Sequence, residues 1–125
     1  MTKRKSNQVL EKQYSDQGSC CIYCKEKIPF ELITRDHFKP RSSGNTLVQN
    51  KVFACKHCNS IKGSLCLNEF MEEIYKRMNN VIIKLKNKKL EQFDELQQRL
   101  IHYINILKTI YEILENGGSP KFLFT

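Results

Sequence analysis

Apolar residues recur along the chain with two rhythms, one near two and one near 3.6. Residues 6–17 carry only Val9, Leu10 and Tyr14 as sizeable apolar side chains, at helical spacing, and Gly18 is a natural stop, so this stretch predicts a short helix. Residues 30–37, with Leu32, Ile33 and Thr34, read as a strand whose end delivers Asp36 and His37. Residues 47–54, centred on Lys51-Val-Phe-Ala54, read as a second strand. Pro40 and Gly44 bend the segment between them, which makes the pair a long, irregular antiparallel hairpin. Asn59-Ser-Ile-Lys62 reads as the first turn or two of a helix that breaks at Gly63.

The rhythm then becomes helical. Asn68 is placed to cap a helix over residues 69–79 with the stripe Phe70, Met71, Ile74 and Met78, acidic residues in its first turn and Lys76 and Arg77 in its last. Asn79 and Asn80 interrupt, and residues 84–89 form a basic run at an expected helix junction. Residues 90–114 give the clearest helix, with Phe93, Leu96, Leu100, Ile104, Leu107, Tyr111 and Leu114 recurring at three and four. Asn116-Gly-Gly118 and Pro120 end it. That stripe reads as core or as a helix-pairing face, and His102 on the same helix as a structural histidine. Cys66 reads as a small buried residue.

Composition narrows the class. A chain of 125 residues with six cysteines has room for a modest core. It shows neither a signal peptide nor an apolar run near eighteen residues, which predicts a cytoplasmic protein that meets no membrane and keeps its thiols reduced. Residues 1–62 hold twelve Lys/Arg against five Asp/Glu, net +7, and residues 63–125 nine against eight, net +1, together the +8 of the whole. A basic excess in the first half suits a polyanionic partner, although a generally basic, soluble surface would look the same.

The cysteines supply the chemistry. Cys21-Ile-Tyr-Cys24 and Cys55-Lys-His-Cys58 are two Cys-x-x-Cys knuckles, and two such pairs make a closed tetrahedral site of four thiolates suited to structural Zn2+. Cys20-x3-Cys24 is also a permitted spacing, with Cys21 preferred because it mirrors Cys55/Cys58. Structural zinc supplies about 10–16 kcal/mol of apparent binding free energy in finger-sized peptides, comparable to the stability of a whole domain. His57, inside the second knuckle, reads as exposed, as a replacement zinc ligand or as a DNA contact.

Between and beyond the knuckles stand Asp36-His37-Phe-Lys-Pro-Arg-Ser-Ser-Gly44, then Asn50, then Asn59-x2-Lys62-Gly63. In this order the residues resemble the HNH endonucleases over residues 21 to about 74. The resemblance implies a zinc-stapled ββα-metal core and says nothing of residues 80–125; with the helical patterns on either side, the chain reads as an α+β, mostly helical fold, with a nuclease domain over residues 1–79 and a helical extension over residues 80–125 packed on it or on a partner. The resemblance also implies that His37 is the general base, that Asp36 and Asn59 hold a catalytic Mg2+ or Mn2+, and that Asn50 pins the loop holding His37. The expected products of DNA hydrolysis are a 5′-phosphate and a 3′-hydroxyl. Two positions depart from the commonest pattern, Asn59 where histidine is usual and Gly44-Asn45 where Gly-Gly is usual.

Lys39, Arg41, Lys56 and Lys62 are candidate contacts to phosphates of double-stranded DNA flanking the scissile bond. Alternative readings are a non-catalytic zinc-ribbon nucleic-acid-binding module, and an interaction subunit whose C-terminal helices dock a larger partner, such as an ATPase of a phage or antiphage-defence system. A lone Asp-His pair is more often a hydrogen-bonded surface pair or an outer neighbour of zinc. It is the company of the knuckles, Asn50 and Asn59 that favours catalysis.

Overall fold

The computed structural model describes residues 5–40, 49–87 and 92–124. Helix α1 (Lys5–Asp16) leads through Gly18, at φ +103°, into the first knuckle. Strands β1 (Thr34–His37) and β2 (Lys51–Ala54) form a two-stranded antiparallel sheet with Asp36 opposite Val52 and His37 opposite Lys51. Helix α2 (Lys56–Lys62) follows at once, and α3 (Leu67–Lys86) and α4 (Phe93–Glu115) complete a mostly helical α+β fold with a ββα arrangement at its centre. Among the described residues no helix is long and apolar enough to cross a membrane.

One buried cluster runs from Cys21 to Ile113, so the knuckles, the hairpin and the two long helices share a core. Tyr23 and Phe70, both fully buried, meet edge to face at 5.2 Å between ring centroids. On the other side of β2, Phe53 lies between Tyr14 of α1 at 5.4 Å and Phe124 of the C-terminal tail at 5.6 Å. The amide of Gln17 works like an extra stretch of strand: it donates to the carbonyl of Phe53 at 2.8 Å and accepts from its N–H at 3.0 Å. Phe124 exchanges backbone hydrogen bonds with Lys51 at 2.7 and 2.8 Å, so the tail returns to the sheet.

Several elements differ from the sequence expectations. Residues 30–32 form a 3-10 turn rather than strand, closed by the Leu32 N–H donating to the Pro29 carbonyl at 2.9 Å, with Leu32 left in water. Helix α2 starts at Lys56, three residues earlier than expected, because the sulfur of Cys55 accepts the N–H of Cys58 and acts as the cap. Helix α3 begins after Cys66, not Asn68, with the carboxylate of Glu69 accepting the Cys66 N–H at 3.0 Å. Cys66 is accordingly half-exposed rather than buried.

Helix α3 also runs through Asn79 and Asn80 to Lys86. Asparagine costs a helix only about 0.7 kcal/mol relative to alanine. Both asparagines face solvent, while buried Val81 and half-buried Leu85 continue the stripe of Phe70, Ile74 and Met78. Helix α4 is rotated from the expected face. Leu96, Leu100 and Leu107 do face inward, but Tyr103, Ile106, Ile110 and Ile113 complete the buried side, and Phe93, Ile104, Tyr111 and Leu114 are exposed. Tyr111 hydrogen-bonds Tyr75 of α3 through the two hydroxyls. The helix stops as expected, with the Gly118 N–H, at φ +88°, donating to the carbonyl of Ile113 at 2.9 Å.

Candidate active site and metal centre

The two knuckles converge. The sulfurs of Cys21, Cys24, Cys55 and Cys58 lie within 4.8 Å of one another and all four residues are buried. Cys24 and Cys55 are 3.9 Å apart at sulfur. A tetrahedral ion with zinc–sulfur bonds of about 2.3 Å places its ligands about 3.8 Å apart, so donor set and spacing both fit Zn2+. The turns are shaped for thiolates: the N–H of Tyr23 donates to Cys21 Sγ at 3.4 Å and that of Cys58 to Cys55 Sγ at 3.3 Å. Cys20 is half-exposed outside the cluster, with its thiol turned to the Gln17 carbonyl, which leaves Cys21 as the ligand-side cysteine of the first knuckle.

The hairpin carries the second group. Strand alternation sends Asp36 to one face of β1 and His37 to the other. On the inner face, the Asp36 side chain is 13% exposed and its Oδ2 is buried with no hydrogen-bond partner. Burial raises its pKa, opposed by the charge of Lys62. His37 ends the strand half-buried, and its carbonyl accepts a hydrogen bond from Lys62 Nζ at 3.1 Å. Immediately after it, the side chain of buried Asn50 clasps Lys39: Oδ1 accepts the Lys39 N–H at 2.9 Å and Nδ2 donates to the Lys39 carbonyl at 2.8 Å. The Phe38 N–H donates to the Asn50 carbonyl at 2.8 Å, so the chain leaving His37 is tied at three points to one residue.

Helix α2 packs against β1 and carries Asn59 and Lys62, of which Lys62 reaches the strand. The two are three residues apart and therefore share a helix face. Lys62 is turned inward: it is 0% exposed, with Nζ 3.8 Å from Asp36 Oδ2, too long for a hydrogen bond but close enough for a strong charge interaction. Burial lowers its pKa and Asp36 pushes it back up. The expectation that Lys62 meets a DNA phosphate at the surface is thereby corrected, because its ammonium is spent on the backbone and carboxylate of the hairpin. Lys39 and Lys56 are exposed, and Arg41, with Gly44 and Asn45, lies outside the described residues.

One residue at the metal cluster escaped the sequence reading. His102 of α4 places Nε2 3.6 Å from Cys58 Sγ, and its ring meets the exposed His57 edge to face at 4.9 Å. Desolvation, then the nearby His57, lowers its pKa. Its position beside buried Tyr103 on a helix that reaches the core was the only available signal, since Cys58 is 44 residues away in sequence. A cavity of about 470 Å³ opens here, walled by Cys24, Glu26, His102 and other residues of α4.

Residues 21–74 match a family model described as HNH endonuclease. No curated protein matches the chain.

Proposed function

Residues 21–74 form an HNH-family endonuclease domain, and from that premise we propose that the protein is a metal-dependent endonuclease that hydrolyses phosphodiester bonds of double-stranded DNA. The observation that carries the reading is the buried Oδ2 of Asp36, which accepts no hydrogen bond and has Lys62 Nζ 3.8 Å away as its charge partner, next in sequence to the tied-down His37. A buried carboxylate oxygen with a charge partner but no hydrogen bond keeps acceptor capacity that a divalent cation can fill.

His37 is the general base. An imidazole can take a proton from water as it attacks, and a positioned base contributes on the order of a hundred- to ten-thousand-fold. The water oxygen bonds to phosphorus as the bond to the 3′-oxygen breaks, which leaves a 5′-phosphate on one strand end and a 3′-hydroxyl on the other. Asn50 and Lys62 serve His37 through its backbone, one holding Lys39 and the other the His37 carbonyl. Asp36 and Asn59 offer a carboxylate and an amide oxygen, hard donors that suit Mg2+ or Mn2+. Bound there, such an ion would stabilise charge on the phosphoryl oxygens and the departing 3′-oxygen by several kcal/mol. Exposed Lys39 and Lys56, within a half-chain of net charge +7, suit the flanking phosphates.

The test is cleavage of supercoiled plasmid by zinc-loaded protein with and without Mg2+ or Mn2+, beside a His37→Ala variant of equal zinc content. Nicking or linearisation by the parent alone, and only with the added divalent ion, supports the assignment. Equal cleavage by the variant removes His37 from the chemistry, and DNA retention without products from either protein favours a binding module.

A further inference from the structure

Helix α4 lies beyond the segment that matches the nuclease family, yet it delivers a side chain to the metal cluster. A thiolate bound to zinc keeps part of its negative charge, and that charge is what a proton or a competing chelator attacks. Nearby N–H groups blunt it. Cys21 and Cys55 receive theirs from the backbone of their own knuckles. At Cys58 the imidazole of His102 stands 3.6 Å from the sulfur, within reach of an N–H···S hydrogen bond. The ring is fixed there by the fold, half-buried, edge to face with His57 and next to fully packed Tyr103.

We propose that His102 is a positioning residue of the zinc centre: its Nε2–H donates to the Cys58 thiolate, shields it, and makes zinc retention depend on the docking of α4. The same imidazole belongs to a second constellation, since the ligand atoms of Cys24, Glu26 and His102 also lie within 4.8 Å of one another. As direct ligands these three would hold a further cation with Cys24 shared. Two observations favour the outer role. Glu26 is exposed. Nε2 approaches Cys58, which is not in that second set, while four thiolates complete the coordination of a structural zinc.

Removing an outer partner of a metal ligand costs about 10–100-fold in metal affinity. The experiment uses the full chain as parent, His102→Phe, His102→Gln and Glu26→Gln. Phenylalanine keeps a ring in the same space without a donor, and glutamine keeps an N–H without the ring. Zinc per chain, zinc transfer to a chromogenic chelator, and the sulfur-to-metal charge-transfer bands of the Co2+-substituted proteins are measured.

The expected result is one zinc per chain throughout, release about 10–100-fold faster in His102→Phe, shifted cobalt bands in that variant, partial recovery in His102→Gln, and no change in Glu26→Gln. A role in packing alone would leave the cobalt bands of His102→Phe at the parental position, and that result overturns the proposal. So would two zinc ions per parent chain falling to one in both His102→Phe and Glu26→Gln, which would make His102 a direct ligand of a second ion. None of these readouts depends on nuclease activity.

Discussion

Lys62→Met is the substitution that most severely tests how the hairpin is held. Methionine fills nearly the same volume but removes an ammonium that is 0% exposed, 3.1 Å from the His37 carbonyl and 3.8 Å from Asp36 Oδ2. Removing one member of a buried ion pair costs about 3–5 kcal/mol, because the other charge stays behind without compensation. Asp36 has an escape, which is to take up a proton. Protonating a carboxyl of ordinary pKa about 3.9 costs about 4 kcal/mol at pH 7 but only about 1.5 kcal/mol at pH 5, at 1.36 kcal/mol per unit.

Burial already raises the pKa of Asp36, and losing Lys62 removes the largest opposing influence. A carboxyl whose pKa rises on folding weakens the fold wherever it is ionised, and the loss is relieved as pH falls towards its unfolded value. The hydrogen bond to the His37 carbonyl adds about 1 kcal/mol that does not depend on pH. Lys62→Met is therefore expected to lose about 5 kcal/mol at pH 7 and about 2.5 kcal/mol at pH 5. Urea denaturation of zinc-loaded parent and variant at both pH values, without added Mg2+, measures the difference, and the shared zinc site cancels from it. The double variant Lys62→Met/Asp36→Asn should regain most of the loss and show no pH trend. A loss below 1 kcal/mol, or one equal at both pH values, would mean that Lys62 does not neutralise Asp36.

Two further outcomes are expected. Asn50→Ala removes both side-chain hydrogen bonds to the Lys39 backbone, and because Lys39 is exposed and water reaches it, the cost should sit at the low end, about 2 kcal/mol in urea denaturation, with plasmid cleavage falling further than stability does. Cys55→Ser removes a zinc ligand but keeps at the start of α2 a hydroxyl that can accept the Cys58 N–H, so metal content and the cooperative thermal transition should vanish together through the metal; a cooperative melt with no bound metal would show that the fold stands without it.

The parts of this fold that were legible in the sequence are those written in local chemistry. Paired cysteines two residues apart, the β-branched run ending at Asp36-His37 and the Gly-Gly stop after α4 each allow few conformations, and the knuckles and hairpin came together as their order implied. Helix α4 was harder because Ile101, Tyr103, Ile104, Ile106, Leu107, Ile110, Tyr111, Ile113 and Leu114 put apolar groups almost all round it. Periodicity alone then admits two faces, and packing against α3 chooses the one through Tyr103, Ile106, Ile110 and Ile113.

In α3 the two asparagines looked like a break, but the gain from burying Val81 outweighs their weak preference against helix. Lys62 looked like a surface cation because lysine is almost never buried, and only the meeting of α2 with β1 provides the partners that let it be. The same holds for His102 and for Phe124, whose contacts span 44 and more than 70 residues of chain and leave no pattern in the sequence near them.

The central claim is that His37, next in sequence to Asp36, draws a proton from the water that cuts a DNA strand. Zinc-loaded parent and His37→Ala, matched for zinc content and melting behaviour, should be given nicked-product analysis in Mg2+. The account predicts nicks from the parent that DNA ligase reseals without prior end treatment, as 5′-phosphate and 3′-hydroxyl ends require, and no nicks above background from the variant. Resealable nicks formed equally well by His37→Ala would contradict it.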